Sequence, residues 1–207
     1  MISNENILKI LEISCQAPSG ENAQPWKFGI RGNEIYIFNI PERDQSPYNF
    51  RQKASFVAHG TLIENISIIS LVMGYISSVR LFPDKNDPDL VALISLQKSE
   101  PKDDLLYPYI IQRTTNRKPY KAIPFTADQK KTLLNAAEGI SSGRILLTDN
   151  YKDIATLARV GSMNERLVFE NRFLHNFLFS HINWTDAENQ EKKLGFDIKT
   201  LELPTPA

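Results

Sequence analysis

The chain predicts an α+β layered domain, and three patterns carry that expectation. Two pairs of short apolar-rich runs are each separated by a turn, Trp26–Ile30 with Ile35–Phe38 and Val79–Pro83 with Leu90–Leu96. Segments with helical spacing of apolar residues stand before, between and after those pairs. Strands separated by both hairpins and helices are the mark of helices packed on an antiparallel sheet rather than of a repeating βαβ chain.

The first helix is predicted over Glu5 to Gln16, capped by Asn4 or Asn6, because Ile7, Leu8, Ile10, Leu11 and Ile13 fall on one broad face. Pro18 ends it. Trp26 to Ile30 alternates as a strand, Arg31-Gly32-Asn33-Glu34 is a hairpin turn signal, and Ile35 to Phe38 is the return strand. Pro41 to Phe50 is polar loop. A long helix is predicted from Arg51 to Met73, apolar nearly all round in its inner part and therefore a central, buried element, with Gly74 as its stop. The second hairpin turns at Asp84–Asp89. Lys98–Asp104 reads as a charged linker and Leu105–Gln112 as a short helix. Thr126 with Gln129 three residues on is a capping-box pattern for a helix running to Glu138. Gly143–Thr148 is predicted as a strand, Tyr151–Phe179 as a helix, and Asn183–Ala207 as a polar tail with little to bury.

The 207 residues are enough for a sizeable core, and 42% hydrophobic with 23% charged residues is a globular composition. Twenty-four basic residues balance twenty-four acidic ones, which argues against a nucleic-acid protein and gives no electrostatic help at an anionic membrane. The lone Cys15 excludes an intramolecular disulfide and a Cys-rich metal site, and reads as a small core hydrophobe. His175 and His181 do not stand at helical ligand spacing, so no metal is expected. The apolar stretch Ile66–Ile76 is too short to span a bilayer, and Met1–Asn6 lacks a basic leader, so the expectation is a soluble, cytoplasmic protein.

Two segments are too specific for connectors. Ala17-Pro18-Ser19-Gly20-Glu21-Asn22-Ala23-Gln24-Pro25-Trp26 packs two prolines, a serine, two side-chain amides and a tryptophan into one turn. Arg113-Thr114-Thr115-Asn116-Arg117 sets two arginines around hydroxyl groups, and gains its weight only together with the first segment. The first resembles the A-P-S-x-x-N-x-Q-P-W loop of the FMN-dependent nitroreductase family, and the second resembles that family's R-x-[ST]-x-R phosphate-binding start. In an ordinary member the arginine motif comes first. Here it follows, 94 residues after Ser19. Residues 113–149 read as the opening of a second copy that kept the arginines, with Gly139–Arg144 where the loop belongs, while the first copy kept the loop and has no arginine between Met1 and Lys9. This order resembles the tandem, Acg-like branch of the family.

The resemblance implies a nitroreductase-like layered fold with a mostly antiparallel central sheet flanked by helices. It divides the chain into a first half at 1–104 and the start of a second half at 105–207, together one compact unit. It implies FMN as cofactor, held by Pro18, Ser19, Gly20, Asn22, Gln24, Arg113, Thr115 and Arg117, with NAD(P)H as transient reductant and a small nitroaromatic, quinone or similar acceptor. A homodimer is implied, with no nucleic acid and no membrane. The alternative is a flavin-binding protein that stores FMN without turnover. No protein acid or base is obligatory for flavin hydride chemistry, so no catalytic residue is named. Trp26 is expected as a core anchor, His59 as a satisfied core histidine, and Arg51 with Lys53 as a solvated helix start.

Overall fold

The computed structural model describes residues 2–121, 123–138 and 143–202. It divides into two compact units, one of Met1–Asn116 with His181–Ala207 and one of Arg117–Ser180. These follow contacts, whereas the halves expected at 1–104 and 105–207 follow resemblance.

In the first unit, α1 spans Asn4–Ser14 and buries Ile7, Ile10 and Leu11. Its cap is Ser3, whose hydroxyl accepts from the Asn6 amide at 3.3 Å, rather than the expected Asn4 or Asn6. Asn6 is turned to another use, donating from its side chain to the Tyr75 hydroxyl at 2.8 Å. The first hairpin forms as expected, β1 at Trp26–Arg31 and β2 at Glu34–Asn39, with Gly32 at φ +59° in its turn. A glycine is needed there because the left-handed region crowds a Cβ.

The second hairpin is β3, Tyr75–Leu81, and β4, Leu90–Lys98. β3 begins four residues before the expected Val79, directly after Gly74, which lets the chain reverse from helix into strand. The four strands form one antiparallel sheet in the order β1-β2-β4-β3. β4 is interior to the sheet and is buried along nearly all of Leu90–Leu96, which is why its sequence is continuously apolar rather than alternating.

The central helix α2 spans Lys53–Val72. Leu62, Ile66 and Ile69 are fully buried against Ile7 and Ile10 of α1 and Ile35, Ile37 and Ile94 of the sheet, in one core. Each such side chain contributes about 1.5–3 kcal/mol on leaving water. Asn65 ties the two helices together by donating to the Ser14 carbonyl at 3.2 Å. Gly74 stops α2 as expected, at φ +81°, and a Cβ there would lie 3.1 Å from the Ser99 carbonyl oxygen. Together with the short turn before it, the stretch Phe50–Val72 is, by length and composition, long and apolar enough to cross a membrane, longer than the stretch the sequence singled out. Its fully buried side chains mark it equally as the core helix of a layered domain. A short α3, Tyr107–Gln112, closes this part of the chain, as expected for Leu105–Gln112.

The second unit holds α4 at Ala127–Asn135, α5 at Tyr151–Glu170 and α6 at Arg172–Ser180. The capping box at α4 is present with both hydrogen bonds, Thr126 Oγ1 accepting from Gln129 N and Gln129 Oε1 accepting from Thr126 N. Two expectations fail here. Gly143–Thr148 is not a strand, because no neighbouring strand pairs with it among the described residues and an unpaired strand leaves its main-chain groups unmet. The single helix expected over Tyr151–Phe179 is broken at Asn171, whose side-chain oxygen accepts from the Phe173 and Leu174 amides and so caps a new helix. Of Gly139–Arg144, expected in place of a second loop, residues 139–142 lie outside the described residues.

His181–Glu202 then returns to the first unit. Ile182–Asn183, β5, pairs in parallel with Phe196–Asp197, β6, around helix α7 at Asp186–Lys192. The polar tail expected here is instead a structured motif. Its capping box joins Thr185 to Glu188, and Asn183 is 1% exposed, donating to the Leu194 carbonyl and to Asn189 Oδ1.

Candidate functional site

The loop between α1 and β1 is built by its own polar side chains. Ser19 Oγ accepts from the Gln24 amide at 3.0 Å, the Ala23 amide reaches the Gly20 carbonyl at 2.8 Å, and the Trp26 amide reaches the Gln24 carbonyl at 2.8 Å. Glu21, Asn22 and Gln24 all sit at positive φ, at 51°, 55° and 46°. Each non-glycine residue in that region costs about 1–2 kcal/mol, so the loop is held in shape by what surrounds it. Pro25 and Trp26 anchor it in the core, Trp26 5% exposed and edge-on to His59 at 6.2 Å.

His59 is fully buried, with Nδ1 at 2.8 Å from the Ser55 carbonyl. Burial pushes its imidazole below its ordinary value, with the Ser55 and Phe38 carbonyls opposing, so it is the satisfied core histidine expected of it. Cys15 is half-buried against the core and burial raises its thiol, as suits a packing residue.

Facing the loop stand the start of α2 and the segment 40–52. Pro18, Ser19 and Gly20 line a shallow recess of about 340 Å³ with Ala54, Val57, Ala58 and Thr61. The recess follows from small residues at one face of α2's first two turns. Thr61 Oγ1 reaches the Pro18 carbonyl at 3.3 Å and Arg43 Nη1 donates to the Gln24 carbonyl at 2.8 Å, fixing both ends of the loop. Arg51 and Gln52 are also at positive φ, 55° and 59°. Arg51 is exposed beside the Phe50 ring, consistent with a solvated helix start.

The structure brings Arg113 to this loop. Its Nη2 donates to the Gln16 carbonyl at 3.2 Å, two residues before Pro18, although 97 residues separate the pair in sequence. The short α3 does this by packing beside α1 and α2, which carries Arg113 to the end of α1. Thr115 follows it, exposed, at the end of the same unit. Arg117 opens the second unit, half-buried and with partners of its own. Pro18, Ser19, Gly20, Asn22, Gln24 and Arg113 therefore share one region of the first unit, while Arg117 is described with the other.

Sequence reading missed the return of 181–202 to this loop. Gln24 Nε2 donates to the Lys193 carbonyl at 2.8 Å, and Glu21 Oε2 lies 3.9 Å from His181 Nε2. Glu21 is pushed above the usual carboxylate range chiefly by burial, with His181 opposing and the nearby Asp44 adding to the rise. The capping box at Thr185 and the glycine at 195 were the available signals of a folded tail.

No family model matches the chain. The chain is similar over 198 residues, 94% of its length, to "Uncharacterized protein MT1398" of Mycobacterium tuberculosis at 25% identity. It is similar over 191 residues, 90% of its length, to "Putative NAD(P)H nitroreductase acg" of the same organism at 24% identity. It spans 27% of the first of these proteins and 56% of the second. Among solved structures it is similar to an FMN-dependent nitroreductase of Clostridium difficile, with TM-score 0.39 and 15% identity over 49% of this chain and 79% of that one, a likeness too loose to carry an inference. The similarity to this putative nitroreductase thus extends along nine-tenths of the chain.

Proposed function

We propose that this chain forms the FMN site of a flavin-dependent oxidoreductase. The observation that carries this is the meeting of the two motifs: the Arg113 guanidinium stands at the Gln16 carbonyl, at the threshold of the Pro18–Trp26 loop. The donor set fits the cofactor. A dianionic phosphate requires a fixed cation and hydroxyl donors, which Arg113 and Thr115 of the first unit offer. A ring system with a polar edge requires an apolar wall beside paired amides. Pro18, Gly20, Ala54, Val57 and Ala58 provide the first, and Asn22 and Gln24 the second.

When bound, a flavin supplies hydride transfer between a nicotinamide cofactor and an acceptor such as a nitroaromatic or a quinone. The chain's own residues bind, orient and wall off. Ser19 Oγ closes the loop by accepting from the Gln24 amide, and Trp26 with His59 fixes the loop to the core. The recess along α2 excludes water from one side. We further propose a protein working in the cytoplasm as a homodimer, in which a second copy would cover the exposed side chains of Phe50 and Val57.

The test is the visible absorbance spectrum of the purified protein, followed by FMN titration and steady-state oxidation of NADPH with a nitroaromatic or quinone. Flavin bands, saturable binding and turnover above that of free FMN support the oxidoreductase. Binding without such turnover leaves a flavin-storing protein. A chain that neither carries nor takes up FMN overturns the reading.

A further inference from the structure

We propose that the returning segment 181–202 is part of the site, and that it fixes which way the Asn22 and Gln24 amides face. The inference rests on the FMN reading and goes beyond it by assigning each amide a role.

A side-chain amide can present either its nitrogen or its oxygen, and the sequence leaves that choice open at both positions. The structure removes it. Gln24 Nε2 donates to two acceptors, the Lys193 carbonyl at 2.8 Å and Asn22 Oδ1 at 3.3 Å. A reversed Gln24 amide would set oxygen against oxygen at both contacts. Gln24 therefore offers only Oε1 outward, and no donor among the described residues reaches that atom. The same link orients Asn22, whose Oδ1 accepts from Gln24 and whose Nδ2 is left to donate. Asn22 Nδ2 and Gln24 Oε1, a donor and an acceptor two residues apart and tied by one hydrogen bond, are the complement of a ring edge carrying a carbonyl next to an N–H. That edge is a cyclic imide or lactam, with its carbonyl accepting from Asn22 and its N–H donating to Gln24.

The Lys193 carbonyl is held in place by the motif around it. Lys193 is the left-handed C-cap of α7, at φ 53°. Gly195, at φ +83°, packs so closely on the preceding strand that a Cβ would lie 2.5 Å from the His181 carbonyl oxygen. His181 in turn faces Glu21 of the loop at 3.9 Å. The segment thus touches the loop at two residues in left-handed conformation and acts as a positioning brace.

Gly195→Ala, which cannot keep that packing, tests the brace. His181→Ala is a second variant should the first fail to fold. Two readings are taken: hydrogen exchange of the Ala23, Gln24 and Trp26 amides without any ligand, and affinity for FMN and for FMN methylated at its imide nitrogen. The expected result is faster exchange of those amides, FMN binding weakened by roughly tenfold, the scale of one lost hydrogen bond, and a wild-type protein that discriminates against the methylated flavin. Unchanged exchange in both variants overturns the brace, whatever happens to affinity. Equal wild-type affinity for the two flavins overturns the assignment of Gln24 as acceptor. A wild-type protein that binds neither flavin sinks the FMN reading and the amide roles with it, while the exchange data still decide whether the segment braces the loop.

Discussion

Replacing Arg113 with alanine should separate a cofactor role from a structural one. In the protein alone, Arg113 makes an exposed hydrogen bond to the Gln16 carbonyl at 3.2 Å, at the solvated end of α1. A single exposed bond of this kind stabilises the fold by about 0.5–1 kcal/mol at most. A charge-assisted contact to a phosphate is stronger, about 1.5–3 kcal/mol, which corresponds to a loss of roughly 10- to 150-fold in affinity. The two magnitudes differ enough to be read apart. FMN affinity, followed by quenching of flavin fluorescence, should fall by at least tenfold in Arg113→Ala, while the urea midpoint barely moves.

Salt supplies an internal control. Exposed charge pairs are screened over a Debye length of about 10 Å at 0.1 M salt. Wild-type affinity should therefore weaken as salt rises, and the variant's affinity should respond less. Arg113→Lys should fall between the two, because a point charge lacks the planar fork. Unchanged FMN affinity at low salt in Arg113→Ala would refute the reasoning, and would move the phosphate contact to Arg117 or away from this motif altogether.

The core and the caps make further predictions. Ile66→Ala should destabilise the protein by about 2–5 kcal/mol, because the side chain is fully buried between α1, α2 and the sheet; a denaturant midpoint within error of wild type would contradict this packing. His59→Gln should flatten the acid limb of stability against pH. A folded imidazole held below its ordinary value leaves stability intact above about pH 6.5 and loses it as pH falls below that, at no more than about 1.4 kcal/mol per pH unit. Equal slopes for wild type and variant between pH 7 and 5 would refute it. Thr126→Ala should cost about 1 kcal/mol through loss of the capping box, seen as faster amide exchange confined to α4. Loss spread across the whole chain would mean that the second unit is coupled to more than its own cap.

Where local chemistry decides an element, the sequence was legible. Gly32 with Asn33 between alternating strands announced the first hairpin, Gly74 announced the end of α2, and Thr126 with Gln129 announced α4. Where a distant partner decides, it was not. Gly143–Thr148 carries the apolar residues of a strand but has no neighbour to pair with among the described residues. Asn171 breaks a helix whose apolar pattern runs straight through it, because an Asx cap outbids continuation. At α1, Ser3 wins the cap because Asn6 is drawn away to Tyr75, a contact 69 residues distant. The site divides in the same way. The loop residues and Arg113 were readable as motifs. The Lys193 carbonyl and His181 were not, since a main-chain acceptor has no letter in the sequence and His181 gains its meaning only from facing Glu21.

Backbone strain gives an independent reason to place function at this loop. Among the described residues eight non-glycines have positive φ, and five of them, Glu21, Asn22, Gln24, Arg51 and Gln52, lie in the loop after Gly20 or directly before α2; Lys193, whose carbonyl accepts from Gln24, is a sixth. Only Asn22 is a residue type that tolerates that region well. A loop shaped for stability alone would use glycine at several of these places, so the side chains are kept for another reason. Arg51→Gly tests this at an exposed position with φ 55°. Relief of about 1–2 kcal/mol of local strain is set against about 0.5–1 kcal/mol of added chain entropy in the unfolded state. The variant should be as stable as the wild type or more stable by up to about 1.5 kcal/mol. If it is instead less stable by that amount, the Arg51 side chain is itself structural, and the clustering of left-handed residues in these segments reflects folding rather than ligand binding.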